Sequence, residues 1–278
     1  MIPSNVDALI QLALAEDVGN GDQTTLACIP AHLESRGRLL AKDVMVVAGV
    51  PFFTRVFQLL DPRVQVVVHC EDGTLVPRGT VVCDVFGPTR ALLVGERTAL
   101  NIIQRLCGVA TLTRRFVEAV AGSGVSIADT RKTSPGMRFM QKYAVRCGGG
   151  SNHRFGLDSG VLIKDNHIIA CGSLTAAVER ARRQAPHLLK IEVEATTLAL
   201  VDEAIAARAD VILLDNMDTP MMAEAVQRIR TNRPGVLIEA SGGLSLERLP
   251  EVAATGVDIL SIGALTHSAP SADLSLEL

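Results

Sequence analysis

Aromatic side chains are nearly missing from this chain: they make up 3% of 278 residues, with no Trp and one Tyr, Tyr143. Nucleic-acid binding leans on a spread basic surface and often on stacking aromatics, so that class of partner is disfavoured. No Cys-x-x-Cys pair occurs among Cys28, Cys70, Cys83, Cys107, Cys147 and Cys171, which removes the zinc-ribbon and thioredoxin-type readings. Reduced, mostly buried thiols are expected, as in a cytoplasmic protein. No apolar run approaches the roughly 18 to 20 residues that cross a bilayer. The start, Met1-Ile-Pro-Ser-Asn-Val-Asp7, has neither the basic residues nor the apolar core of a secretory signal. A hydrophobic content of 48% therefore points to a globular core and not to a membrane.

What is present is concentrated. Residues 129–167 hold seven Lys/Arg (131, 132, 138, 142, 146, 154, 164) against three Asp (129, 158, 165), in a chain of formal net charge −3. A local positive site in a mildly acidic protein suits a small, strongly anionic ligand better than a polymer. Interleaved Gly, Pro, Asn and His argue against a merely solvated basic face.

From Val125 onward, short apolar runs recur, each ending in polar or small residues: Val125–Asp129, Val161–Lys164, Ile191–Glu194, Val211–Asp215, Val236–Ser241 and Val257–Gly263. Between them lie helix-period segments such as Leu174–Arg183, Thr197–Ala207 and Met221–Arg230. Repeated βα of this kind predicts a parallel sheet. Barrels bind ligands at strand C-termini, where every run here offers a candidate, whereas an open sheet needs a Gly-x-Gly-x-x-Gly turn that this chain lacks. The expected fold class is α/β, with an incomplete barrel of about six repeats over residues 106–267, behind a separate N-terminal domain over 1–105. That first domain reads as a helix over Asn5–Glu16 capped by Ser4 or Asn5, then strands at Gly37–Ala41, Met45–Val47, Val64–His69 and Thr80–Phe86. Thr89–Val120 reads as a pair of long helices.

Candidate site residues follow from the strand ends. Ser241, Gly242 and Gly243, and then Ile262, Gly263 and Ala264, are small-residue turns through which backbone N–H groups can approach phosphate oxygens, although tight turns use glycine too. Glu194 and Asp215 end neighbouring strands and suit Mg²⁺, a hard cation that keeps water and substrate among its ligands; ion pairing to Arg131 or Lys164 is the alternative. Arg131, Arg154 and Lys164 provide two forks and a point charge for a compact dicarboxylate. His153 and His167 have no close His or Cys partner in sequence, so hydrogen bonding to an anion is expected of them before metal ligation. No spacing suggests a covalent nucleophile.

At these residues the sequence resembles the quinolinate phosphoribosyltransferase family. The resemblance runs through nearly the whole chain, on Glu16-Asp-Val-Gly-Asn-Gly-Asp-Gln-Thr-Thr25, Glu96-Arg-Thr-Ala-Leu-Asn101, Asp129-Thr-Arg-Lys-Thr-Ser-Pro-Gly136, Gly148-Gly-Gly-Ser-Asn-His-Arg154, Lys164-Asp-Asn-His167, Glu239-Ala-Ser-Gly-Gly243 and Gly263-Ala-Leu-Thr-His-Ser268. It implies an N-terminal α/β sandwich to which residues 268–278 return, an incomplete barrel, and a homodimer or higher oligomer in which Arg97 reaches the partner's site. It implies transfer of phosphoribosyl from phosphoribosyl diphosphate to quinolinate, with Mg²⁺ and loss of CO₂, giving nicotinate mononucleotide. Thr130, Arg131, Lys132, His153, Arg154 and Lys164 would hold quinolinate. Glu194 and Asp215 would meet the ribose hydroxyls and Mg²⁺, and Ser241–Gly243 with Ile262–Ala264 the 5′-phosphate. The family pattern would place Ser at Cys107 and Thr at Ser134, and neither departure removes a charge.

Three rivals remain in view. A molybdenum-transport-associated relative shares the fold, but there the motif intact here at Lys164–His167 is expected to be altered. A nicotinate phosphoribosyltransferase would need fewer cations for its single carboxylate. A noncatalytic barrel scaffold leaves the polar strand ends without a purpose.

Overall fold

The computed structural model describes residues 2–278, which divide by packing into two units. The first unit holds the residues up to 114, 132–149 and 264–278; the second holds 115–131 and 150–263. The basic stretch after Arg131 and its helix group with the N-terminal residues, because Gln141 donates to the Thr266 carbonyl and Tyr143 to Asp72.

In the first unit, α1 (Ser4–Val18) and α2 (Gln23–Cys28) lead into β1 (Glu34–Ala41) and β2 (Met45–Val46). Then come α3 (Val50–Leu60), β3 (Gln65–Val68), β4 (Leu75–Val76), β5 (Val81–Pro88) and α4 (Thr89–Ala119), the last as far as Arg114. Residues of α5 (Arg138–Cys147), α11 (Ala264–His267) and β12 (Leu274–Glu277) complete it. Its main sheet is antiparallel in the order β12-β1-β5-β3, with β2 and β4 paired separately. Beneath it Phe53 and Phe57 of α3 are fully buried and meet edge to face at 5.1 Å. Each such burial contributes about 2 to 3 kcal/mol of apolar transfer.

Two local expectations are corrected here. The first helix starts at Ser4 behind Pro3, with no side-chain cap from Ser4 or Asn5. Thr89–Ala119 is one helix of 31 residues and not a pair. Its glycines serve packing instead of breaking the helix: a Cβ on Gly95 would fall 2.8 Å from the Phe57 ring, and one on Gly108 would collide with the Pro270 carbonyl. The cysteines also differ from expectation. All six are free, but only Cys83 and Cys107 are buried. Cys107 fits its departure from the family pattern: its Sγ accepts from the Ala48 N–H at 3.3 Å, and burial pushes its thiol up to about 12.

The second unit is built on six parallel strands: β6 (Ser126–Ala128), β7 (Val161–Ile163), β8 (Ile191–Ala195), β9 (Val211–Asp215), β10 (Leu237–Ser241) and β11 (Ile259–Ser261). Their order is β6-β11-β10-β9-β8-β7, so the first strand pairs with the last. That is the wrap of a barrel, left open between β6 and β7. Part of the opening is covered by Ser151, whose N–H donates to Ile127 while its carbonyl accepts from Asp129. Between the strands run α6 (Asp165–Cys171), α7 (Leu174–Gln184), α8 (Leu198–Ala206), α9 (Thr219–Asn232) and α10 (Leu249–Ala253). Ser173, Thr197 and Asp218 cap α7, α8 and α9 by accepting from Ala176, Leu200 and Met221 N–H. The third of these helices therefore begins at Thr219, ahead of the apolar period from Met221, with Pro220 in its first turn. No described helix is long and apolar enough to cross a membrane.

Candidate active site

The strand ends of the second unit collect the polar residues on one rim. Thr130 and Arg131 follow β6, Lys164 follows β7, Glu194 lies next to last in β8, and Asp215 and Ser241 end β9 and β10. Gly242 and Gly243 come next, while Ile262 and Gly263 follow β11. Register supports the grouping, since Asp215 pairs with Ser241 and Ser241 with Ser261. His153 and Arg154 lie in the stretch between β6 and β7 of the same unit, while three predicted residues fall in the first unit. Lys132 is exposed and its carbonyl accepts from the Thr266 hydroxyl at 2.8 Å; Ala264 opens α11; Arg97 is exposed on α4.

Two arginines lie near one another, Arg131 on this rim and Arg154 in the loop that leads into β7. The Nε atoms of Arg131 and Arg154 are buried without a hydrogen-bond partner, and Arg154 is tethered by donation to the Gly160 carbonyl at 2.9 Å. Burial, and then the nearby charge of Arg131, pull the Arg154 guanidinium below its ordinary value, with Glu192 opposing. Buried donors left open in this way suit an incoming anion, because leaving them unmet costs about 1 to 3 kcal/mol each.

Lys164 and Glu194 are joined, Nζ to Oε2, at 2.6 Å. For Glu194 the ion-pair alternative is thus realised. Asp215 is held differently, its Oδ2 accepting from the Asn216 side chain at 2.7 Å. Asn216 has φ of +54° and donates its own N–H to the Ser241 carbonyl, which locks the β9 and β10 loops together. Gly242 fits against it at φ +88°, in a space that any Cβ would fill by colliding with the Asn216 side-chain oxygen.

The two histidines have different surroundings. His167 turns back on its own helix, its Nδ1 accepting from the Lys164 N–H at 3.0 Å. His153 faces carboxylates: Nε2 lies 3.1 Å from Glu192 Oε2 and 3.6 Å from Glu239 Oε1. Neither glutamate was singled out from the sequence. The signal was a charged residue inside an otherwise apolar parallel strand, where burial on both faces is the rule. Burial, and then the charge of Glu192, push the Glu239 carboxyl upward, while His153 and the Ser261 hydroxyl pull it down.

Residues 22–107 match the N-terminal domain of quinolinate phosphoribosyl transferase and residues 109–277 match its C-terminal domain. The chain belongs to the quinolinate phosphoribosyl transferase family. Among relatives, the carboxylating nicotinate-nucleotide pyrophosphorylase of Mycobacterium leprae is 44% identical over 97% of this chain and 95% of its own. The human protein of the same name is 38% identical over 99% and 92%. The crystal structure of NadC from Streptococcus pyogenes superposes with a TM-score of 0.94 at 39% identity, covering 100% of this chain and 97% of that one. The shared fold extends over both units, since that superposition covers the whole chain.

Proposed function

We propose that this protein transfers the phosphoribosyl group of phosphoribosyl diphosphate to quinolinate and releases CO₂, giving nicotinate mononucleotide and diphosphate in NAD biosynthesis in the cytoplasm. The observation that carries the reading is a pair of neighbouring arginines with buried, open Nε atoms, Arg131 and Arg154, the first on the rim that also bears Lys164. Three cations match a substrate with two adjacent carboxylates, and a single carboxylate would leave part of this set unpaired.

The pyridine nitrogen attacks C1 of the ribose as diphosphate leaves, and positive charge develops on the sugar. Glu194 and Asp215 stabilise that charge electrostatically and hold the ribose hydroxyls. Backbone N–H groups of Ser241–Gly243 and Ile262–Ala264 take the 5′-phosphate. Glu194 and Asp215, as hard oxygen donors, would hold Mg²⁺, which would supply neutralisation of the diphosphate charge. Once the ring nitrogen is quaternary, the C2–carboxylate bond breaks, its electron pair stays on C2 beside the cationic nitrogen, and a proton replaces CO₂. Lys132 is a candidate donor for that proton. In the active homodimer, Arg97 adds a cation to the partner's site.

Incubation with quinolinate, phosphoribosyl diphosphate and Mg²⁺ should yield nicotinate mononucleotide and CO₂ in equal amounts. Product from nicotinate at the same efficiency would favour the rival transferase. A folded protein that binds quinolinate but turns over neither acid would favour a binding role.

A further inference from the structure

The His153, Glu192 and Glu239 side chains form a buried polar group inside the barrel, with one ligand atom from each within 4.8 Å of the others. The composition is that of a metal site, but the ring's hydrogen bonds speak against one. The Arg154 N–H donates to His153 Nδ1 at 2.8 Å, so a neutral ring carries its proton on Nε2, the nitrogen that faces the carboxylates. A metal ligand would need that lone pair, and metal-bound histidines donate from their other nitrogen.

The same bonds define a strut. Nε2–H donates to Glu192 Oε2, Nδ1 receives the Arg154 backbone, and the His153 N–H donates to Asp129 Oδ1 at 3.0 Å. Arg154, one of the two open arginines, is the next residue. Below the ring lies a cavity of about 340 Å³, lined among others by Arg154, Glu192, Glu239, Leu188 and Val211. It opens where β7, β9 and β11 begin, at the end opposite the catalytic rim. Without the carboxylates the ring has room to swing, and the Arg154 backbone would move with it.

We propose that Glu192, backed by Glu239, is a positioning residue for quinolinate: through the His153 ring it fixes Arg154, and the ring is a strut and not itself a carboxylate ligand. The inference rests on quinolinate being the anionic substrate. A misplacement of the Arg154 fork on the scale of 1 Å costs about 10- to 100-fold in binding and turnover.

The test combines calorimetry with NMR. Glu192→Ala should weaken quinolinate binding at least about tenfold and leave phosphoribosyl diphosphate binding and thermal stability near those of the wild type. Glu192→Gln, whose amide oxygen still accepts from Nε2–H, should restore most of the affinity. Adding Glu192→Ala to His153→Ala should cost little more than His153→Ala alone. In ¹⁵N-labelled protein, His153 should show a protonated Nε2 and an unprotonated Nδ1, with the Nε2–H signal lost in Glu192→Ala and kept in Glu192→Gln. Full quinolinate affinity in Glu192→Ala, alongside its loss in His153→Ala, would make the ring a direct ligand and overturn the proposal. Equal loss of both substrates would reduce Glu192 to a fold residue and overturn it too. Wild-type protein that ignores quinolinate but shows the tautomer and its dependence on Glu192 would sink the substrate assignment and leave the strut standing.

Discussion

Lys164 Nζ sits 2.6 Å from Glu194 Oε2, so a cation read as holding one substrate is bonded to a carboxylate read as holding the other. Each silences part of its partner's charge until substrates arrive. Lys164 is 46% exposed at the side chain, so the pair contributes less than about 1 kcal/mol to stability. Lys164→Ala should therefore leave the melting temperature nearly unchanged while lowering kcat/KM for quinolinate about 100-fold. A large drop in melting temperature with modest kinetic loss would reassign Lys164 to structure.

Arg97 is exposed on α4, and the dimer reading sends it to a neighbouring subunit. Arg97→Ala and Lys164→Ala should each be nearly inactive alone. Mixed and reassembled, they should recover about a quarter of wild-type activity, because half of random dimers are mixed and each has one intact composite site. Absence of any recovery, with subunit exchange shown by labelled chains, would place Arg97 in its own subunit's site or in none.

Gly242 has φ of +88° and no room for a Cβ against Asn216. Gly242→Ala should cost about 1 to 3 kcal/mol in urea unfolding and raise KM for phosphoribosyl diphosphate more than KM for quinolinate. Gly243, also at positive φ but with open space around it, should show less of the stability loss.

Glu239 gives a stability test in pH. Its folded carboxyl is raised above the ordinary 4.5 by burial and by Glu192. A group raised in the fold contributes its full stability below 4.5 and loses it as pH rises through the higher folded value. Glu239→Gln removes this dependence. Measured by urea at pH 5 and pH 8, the variant should gain on the wild type by on the order of 1 kcal/mol as pH rises. A constant difference across that range would mean that Glu239 is already ionised in the fold.

Much of the barrel was legible because parallel strands bury both faces and must end where polar residues begin, as at Lys164, Asp215 and Ser241. Asp215 and the glycine turns could be placed on the rim for that reason. The continuity of α4 was not legible, since Gly95 and Gly108 answer to Phe57 and Pro270, far away in sequence. The partners of His153 were not legible for a related cause. Its partners Glu192 and Glu239 come from two different strands, and only the curvature of the sheet brings them to the ring.

Lys42 and Glu277 form an ion pair across 235 residues of chain, beside the β1–β12 pairing. During synthesis, then, every strand of the barrel leaves the ribosome while β1 still has a bare edge, and the sheet that begins first is the last to be finished. An unpaired edge is open to wrong partners. Nascent chains halted before Leu274 should consequently be the aggregation-prone species, so that a strand made late decides how well a strand made early is protected.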